Sequence, residues 1–221
     1  MKKLLNFMQN YKFKSIILIL FLFFIYIFIC AFNYAQAVSS DISNSVFRLH
    51  VIANSDTAED QNLKYKVRDS LLTYMNSLCT DINSKEEAIL MIENHKNDFE
   101  KIALDVIHSE GFYYNVNINI GNFNFPTKNY GDISLPAGIY DALRVEIGNS
   151  NGQNWWCVMF PSLCFIDINN GIAEENSKSI LEKNLSEESY AIVSDKSNYT
   201  IKFKFKLLEF FGQKNISTAQ N

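Results

Sequence analysis

The sequence predicts an α+β fold: a single domain with a mostly antiparallel sheet and two amphipathic helices, preceded by an N-terminal signal or transmembrane segment. Three observations predict it. Residues 16–32 are apolar without a charge and follow four lysines. Residues 58–110 carry apolar positions at helical spacing. The stretches 45–52, 112–120, 138–147 and 154–160 alternate or are rich in strand formers, separated by Asn- and Gly-containing turns.

In chain order, Lys2, Lys3, Lys12 and Lys14 precede the apolar run, and Ala35-Gln36-Ala37 follows it as a small-x-small cleavage pattern. The lysines stay on the cytoplasmic side and the remainder crosses. The run is also long enough to remain as an uncleaved anchor. Residues 1–37 therefore read as signal peptide or membrane anchor, 45–210 as the folded domain and 211–221 as a disordered tail.

Residues 45–52 form a strand with Val46, Arg48 and His50 on one face and Phe47, Leu49 and Val51 on the other. Asp56 or Thr57 caps a helix whose stripe is Leu63, Val67, Leu71, Met75 and Leu78. Ser84 with Glu87 is a capping box for a second helix, closed by Gly111. Its expected core face includes Ala88, His95, Phe99, Ile102 and Val106. Residues 112–120 are a half-buried strand, 122–136 an irregular connection and 138–147 a further strand. A flexible turn at 148–152 then returns the chain as a hairpin partner, 154–160, with another strand at 163–167. The stretch from Asn169 to Glu188 reads as an acidic loop, and 199–207 as an edge strand with alternating lysines.

Beyond Ala37 there remain 16 of the 20 basic residues and all 24 acidic ones, a net charge of −8. That balance argues against nucleic acid or anionic lipid as partner. Export permits a disulfide, and Cys157 and Cys164, with six residues between them, are the natural pair. Two buried free thiols are the alternative. A zinc site is poorly supported, with no CxxC and only His50, His95 and His108 as nitrogen ligands, and no cofactor motif is present. His50 is the best lone catalytic candidate, within an exported hydrolase using Asp56 and Cys157 or a serine. Trp155 and Trp156 send one ring to each face of their strand, so one belongs to the core and the other can serve a partner.

Two stretches carry a family resemblance. RLHVIANSD and DQNLKYKVRD near the start of the domain, with YDALRVEIG and GQNWWCVMFPSLCF later, closely resemble the stage II sporulation protein R family of endospore-forming bacteria. The resemblance implies a signalling protein without catalytic residues, made in the forespore and exported into the space between the two membranes. It implies as partner a mother-cell membrane aspartic protease, stage II sporulation protein GA, whose activation leads to processing of pro-sigma-E. On that reading Asn54, Ser55 and Asp56, with the exposed member of Trp155 and Trp156, are the docking candidates. An anchored envelope structural protein is the third reading.

Overall fold

The computed structural model describes residues 11–78, 82–163 and 175–194. The elements are α1 (Tyr11–Ser45), β1 (Phe47–Ile52), α2 (Ala58–Leu78), α3 (Lys85–Asn94), α4 (Lys96–Ser109), β2 (Val116–Phe125), β3 (Lys128–Tyr130), β4 (Ile133–Leu135), β5 (Gly138–Ile147), β6 (Asn154–Phe160), α5 (Glu175–Asn184) and α6 (Glu187–Val193). Four strands form one sheet in the order β2-β5-β1-β6, and β3 and β4 form a separate hairpin. In the main sheet β2–β5 and β1–β6 are antiparallel, whereas β5–β1 is parallel.

Elements pack on both sheet faces over the central strand, which explains why β1 is buried at all six positions. On one face Phe47, Leu49 and Val51 meet α2, α3 and α4 through Leu63, Val67, Leu71, Ile92 and Phe99. On the other, Val46, Tyr140, Ala142 and Val158 meet the end of α1, the β3–β4 hairpin, α5 and α6. The apolar stripe expected in residues 58–78 is the buried face of α2, with Thr57 accepting from the Asp60 amide at its start.

The second expected helix is two helices. His95 closes α3 and opens α4, its imidazole hydrogen-bonded to Tyr74 and Asp98 at the surface rather than in the core. The break rotates the apolar stripe, so Ala103 and Ile107 are buried where Ile102 and Val106 were expected. Ser84 caps α3 as read, but Glu87 reaches the amide of Asn83 rather than of Ser84. Gly111, at φ +83°, ends α4 with the paired bonds Gly111 N–H to His108 C=O and Phe112 N–H to Ile107 C=O.

Other differences lie in the second half. Residues 112–115 precede β2, which runs on to Phe125, and the connection expected to be irregular contains β3 and β4. The acidic stretch after 174 holds two helices, because Leu181, Leu185, Ile192 and Val193 bury against the second sheet face. The expected strands at 163–167 (beyond Leu163) and 199–207, like the tail at 211–221, lie outside the described residues.

The largest correction concerns β6. It is not the hairpin partner of β5, because β1 lies between them. The connection 148–153 must therefore cross the chain leaving β1, two strand spacings or about 10 Å. Glycines make the crossing possible. A Cβ at Gly152 would sit 2.3 Å from the Ser55 carbonyl oxygen, and one at Gly148, already at φ +57°, would sit 2.3 Å from Asn54 Oδ1. The Gly152→Ala variant is expected to lose about 2 kcal/mol of stability, since backbone rather than a flexible side chain obstructs the methyl group. Chemical denaturation monitored by circular dichroism would check this, and an unchanged midpoint would contradict the close approach.

Candidate functional site

The crossing assembles a polar clasp from two segments almost a hundred residues apart. Asn54 Oδ1 accepts from the Asn149 amide at 2.9 Å, and Asn54 Nδ2 donates to Asp60 Oδ2 at 2.8 Å. The Ala53 and Asn54 carbonyls accept from the Gly152 and Asn151 amides. Asp56 Oδ1 accepts from the Gln153 amide at 2.7 Å, and Lys64 Nζ donates to the Gln153 carbonyl at 3.1 Å. Ser55 Oγ donates to Asp60 Oδ2 at 2.5 Å.

Asp60 sits at the centre of the clasp. Burial alone would raise its pKa, but hydrogen bonds from Ser55, Asn54, Tyr114 and Thr57 outweigh it and hold the carboxyl below the usual range. Lys64 is buried too, and that burial, with Arg68 nearby, lowers its pKa despite the attraction of Asp56. The structure thus brings Asn54, Ser55 and Asp56 together with Asn149–Gln153, and engages their side chains in holding the two segments in place.

Trp155 and Trp156 leave the clasp toward opposite faces, as the alternation predicts, but both are half-buried; neither is a free surface ring. Trp155 packs against the helix-side core, edge-on to Tyr65 at 5.5 Å, with the Arg68 guanidinium 4.2 Å from its ring centre. Arg68 also pairs with Asp69 at 2.7 Å. Trp156 stacks on His50 at 3.7 Å between centroids and meets the Phe125 ring at 4.8 Å.

This second face carries residues that the sequence did not single out. Arg48 is fully buried with its guanidinium 4.1 Å from the Phe125 ring centre and 4.7 Å from that of Tyr140. It donates to Tyr130 Oη at 2.5 Å and to the Cys157 carbonyl at 3.4 Å. Arg144, across the parallel ladder from His50, pairs with Glu146 at 2.7 Å. Asp141, three residues earlier on the same strand, faces the helices instead and binds Lys85 at 2.5 Å. The available signal was Arg48 and His50 at alternate positions of an otherwise apolar strand.

The hydrolase constellation does not assemble. His50 and Cys157 project to opposite sheet faces, since His50 lies with Trp156 and Cys157 lies with Leu49 in the helix-side core. Cys157 is moreover disulfide-bonded. Cys79 and Cys164 lie outside the described residues.

His50 Nε2 lies 2.7 Å from Asn154 Oδ1. Burial drives its pKa down to about 4, the Asn154 bond opposes this, and Arg144 and Arg48 add to it. The unfolded imidazole titrates near 6.5, so on acidification the unfolded chain takes the proton first. The stability from His50 is therefore complete above that value and falls as pH drops toward 4. Between pH 7 and 4.5 the loss is expected to be about 2 kcal/mol, and smaller in His50→Gln. Denaturation at both pH values checks it; an equal loss in the two proteins would assign the effect to other groups.

Ala35 and Ala37, the expected cleavage motif, lie within α1, where Ala35 is buried against the domain and Ala37 is exposed. By length and composition, Phe13–Ser45 is a helix able to cross a membrane.

No solved structure matches the chain. A family model described as "Stage II sporulation protein R" matches residues 43–170, which take in β1 to β6, the clasp and the three helices on the first face. The chain is also similar to "Stage II sporulation protein R" of Bacillus subtilis (strain 168), at 38% identity over 144 residues. That match covers 64% of this chain and spans 64% of the relative's length. With the match extending over more than half of its residues, the chain belongs to the stage II sporulation protein R family.

Proposed function

We propose that the protein is an exported intercellular signal of endospore formation that activates the mother-cell membrane aspartic protease, stage II sporulation protein GA, and so triggers processing of pro-sigma-E. Family membership, the apolar N-terminal helix and the acidic body all support this reading. The observation that carries it is the clasp. The two segments bearing the family resemblance are distant in sequence, yet they form one rigid feature, from which Trp155 and Trp156 emerge on opposite faces. A ligand shifts a receptor toward its active state only by binding that state better. A preordered surface does so with little loss of its own conformational freedom.

In this reading Asn54, Ser55 and Asp56 position the loop, and the half-exposed tryptophans supply contact area. The chain is made in the forespore and acts in the intermembrane space, either released after Ala37 or held by α1.

Co-expression with the protease and pro-sigma-E in a host that does not sporulate tests the proposal. Processed sigma factor is expected only when this chain is present and exported. Trp156→Ala is expected to lower processing at least tenfold while the protein remains folded, and Asp56→Ala to lower it together with stability. Absence of processing with the exported, folded wild type would overturn the reading.

The same reading places the disulfide between Cys157 and Cys164. In support, the turn after β6 brings the Leu163 amide to 3.4 Å from the Val158 carbonyl, so the chain is already doubling back beside Cys157. No Lys or Arg lies between Arg144 and Lys178, so trypsin leaves both cysteines on one peptide. Mass spectrometry without reduction is expected to find that peptide two hydrogens light. A peptide joined instead to the one containing Cys79 would overturn the pairing.

A further inference from the structure

The second sheet face is covered only in part. Toward the Phe47 end, α1, the β3–β4 hairpin, α5 and α6 lie over Tyr140, Ala142 and Val158. Toward the clasp, the same face carries Asn117, His50, Arg144, Glu146, Asn154 and Trp156. Asn117 and Asn154 are exposed there, and the Arg144 side chain retains 33% of its accessible surface.

Three nitrogens on this face have no hydrogen-bond partner: Arg48 Nη1, His50 Nδ1 and Arg144 Nε. All three are buried, and both Arg48 (0% exposed) and His50 (5%) are more than nine-tenths buried as residues. Buried guanidinium nitrogens without an acceptor are rare, because desolvation is then uncompensated. Among the described residues, the carboxylate beside them, Glu146, is already engaged. Glu146 Oε1 accepts from Arg144 Nη2, and Glu146 Oε2 accepts from Asn117 Nδ2 at 3.0 Å. Arg48 forms no ion pair among the described residues; its contacts are the Tyr130 hydroxyl, the Cys157 carbonyl and aromatic rings. Two guanidinium groups against one carboxylate leave a local charge of +1 on a body of net charge −8 beyond Ala37.

We propose that the clasp end of this sheet face is a docking surface on which a partner protein seats a carboxylate, held by the part-exposed Arg144 guanidinium beside His50 and flanked by the rings of Trp156 and Phe123. Phe123 already lies under the Arg144 guanidinium, 5.3 Å from it. Such a ring fixes the plane of the guanidinium and leaves its edge for the ligand. The net excess of one positive charge suits a single carboxylate. A nucleic acid or an anionic membrane would require a row of cations that this acidic body does not offer. A tryptophan beside a paired arginine is also the composition of an interface hot spot. Arg48 lies beneath the site and acts as a positioning residue: burial chiefly keeps the His50 ring neutral beneath the carboxylate, and the charges of Arg144 and Arg48 add to that effect.

The inference rests on the reading of this chain as a docking ligand, and its test has two arms that fail separately. In the first, the full chain in detergent micelles is titrated with N-acetyl-aspartate-N-methylamide, with the asparagine analogue as control. The Arg144 Nε–H and His50 ring resonances are followed by NMR. The groups facing His50 are Arg48, Arg144, Asn154 and the Trp156 and Phe125 rings, with Glu146 beyond Arg144. A bound carboxylate adds a negative charge to that set, so the His50 pKa is expected to rise. Saturable shifts with the aspartate probe alone, lost in Arg144→Gln, are expected. Equal response to both probes, or none, would mean that the orphaned nitrogens meet only water and would overturn the proposal. The second arm is the processing assay. Arg144→Gln is expected to lower processing at least tenfold with folding intact, and Arg144→Lys to restore only part of it, because lysine lacks the planar guanidinium fork. Wild-type processing in Arg144→Gln would overturn the docking role even if the probe binds. If the wild type itself is silent, the assigned receptor is wrong, and the first arm still decides the carboxylate site.

Discussion

The architecture depends on one crossing. Because β1 is inserted between β5 and β6, the connection 148–153 has to pass over the chain that leaves β1. The two backbones approach so closely that Gly152 has room for no side chain. Their facing amides and carbonyls are satisfied by each other and by Asn54 and Asp56. Where the two chains meet, their backbone groups turn toward each other and away from water, and each one left unpaired there would cost about 1–3 kcal/mol. This explains why the sequence is rich in Asn, Ser, Asp and Gly at these two places. The residues are chosen for hydrogen-bonding reach or for the absence of a Cβ. It also explains why the tryptophans are held firmly, since β6 begins immediately after the crossing and inherits its register from it.

A second constraint follows from covering both sheet faces. A central strand buried on both sides usually carries apolar residues throughout, yet β1 places Arg48 and His50 on its second face. Arg48 is tolerated because Phe125, Tyr130 and Tyr140 surround it with aromatic faces and one hydroxyl. The same arrangement affects the neighbours. Burial raises the pKa of the Tyr130 hydroxyl, an effect that the Arg48 charge only partly offsets, and His50 stays neutral. Polar groups retained in such a setting often define register or a binding site, and here the rings enclosing Arg48 continue into Trp156 at the open end of the face.

Much of this was legible in the sequence, and the illegible parts share a cause. The bounds of β5 and β6 coincide with the expected strands because glycine- and asparagine-rich turns delimit them. The stripe of α2 and the Gly111 terminus were equally plain, since both are local signals. The partner of β6 was not, because a loop of six residues serves either a hairpin or a crossing of one strand, and only the tertiary position of β1 decides. Helices α5 and α6 were hidden by their acidic composition, and their few apolar side chains bury against a surface that no local pattern announces. The break at His95 depends on the bonds its ring makes to Tyr74 and Asp98, one of them on another helix. At the candidate site the residue types Asn54, Asp56, Trp155 and Trp156 stood out, but which of them bond across the crossing and which pack on the two faces beyond it required the crossing to be seen.

The end of α1 is built into the same architecture. Ala35, Val38 and Ile42 bury against the second face, Asp41 accepts from the Ser186 amide and hydroxyl, and Ser45 donates to the Asn184 carbonyl. The segment after the apolar run is thus a structural part of the domain and not a tether. Cleavage after Ala37 would leave Val38, Ile42 and Asp41 in place, so release is compatible with the fold. The cleavage motif itself is helical, and Ala35 is packed once the domain has formed. Proteases favour exposed, locally open chain. If the chain is exported and cleaved after Ala37, as proposed, cleavage has to occur before this helix packs. A chain that folds first keeps its anchor. On the proposed reading, the order of these two events decides whether the clasp and its flanking tryptophans diffuse to a partner or are presented to it from the membrane surface.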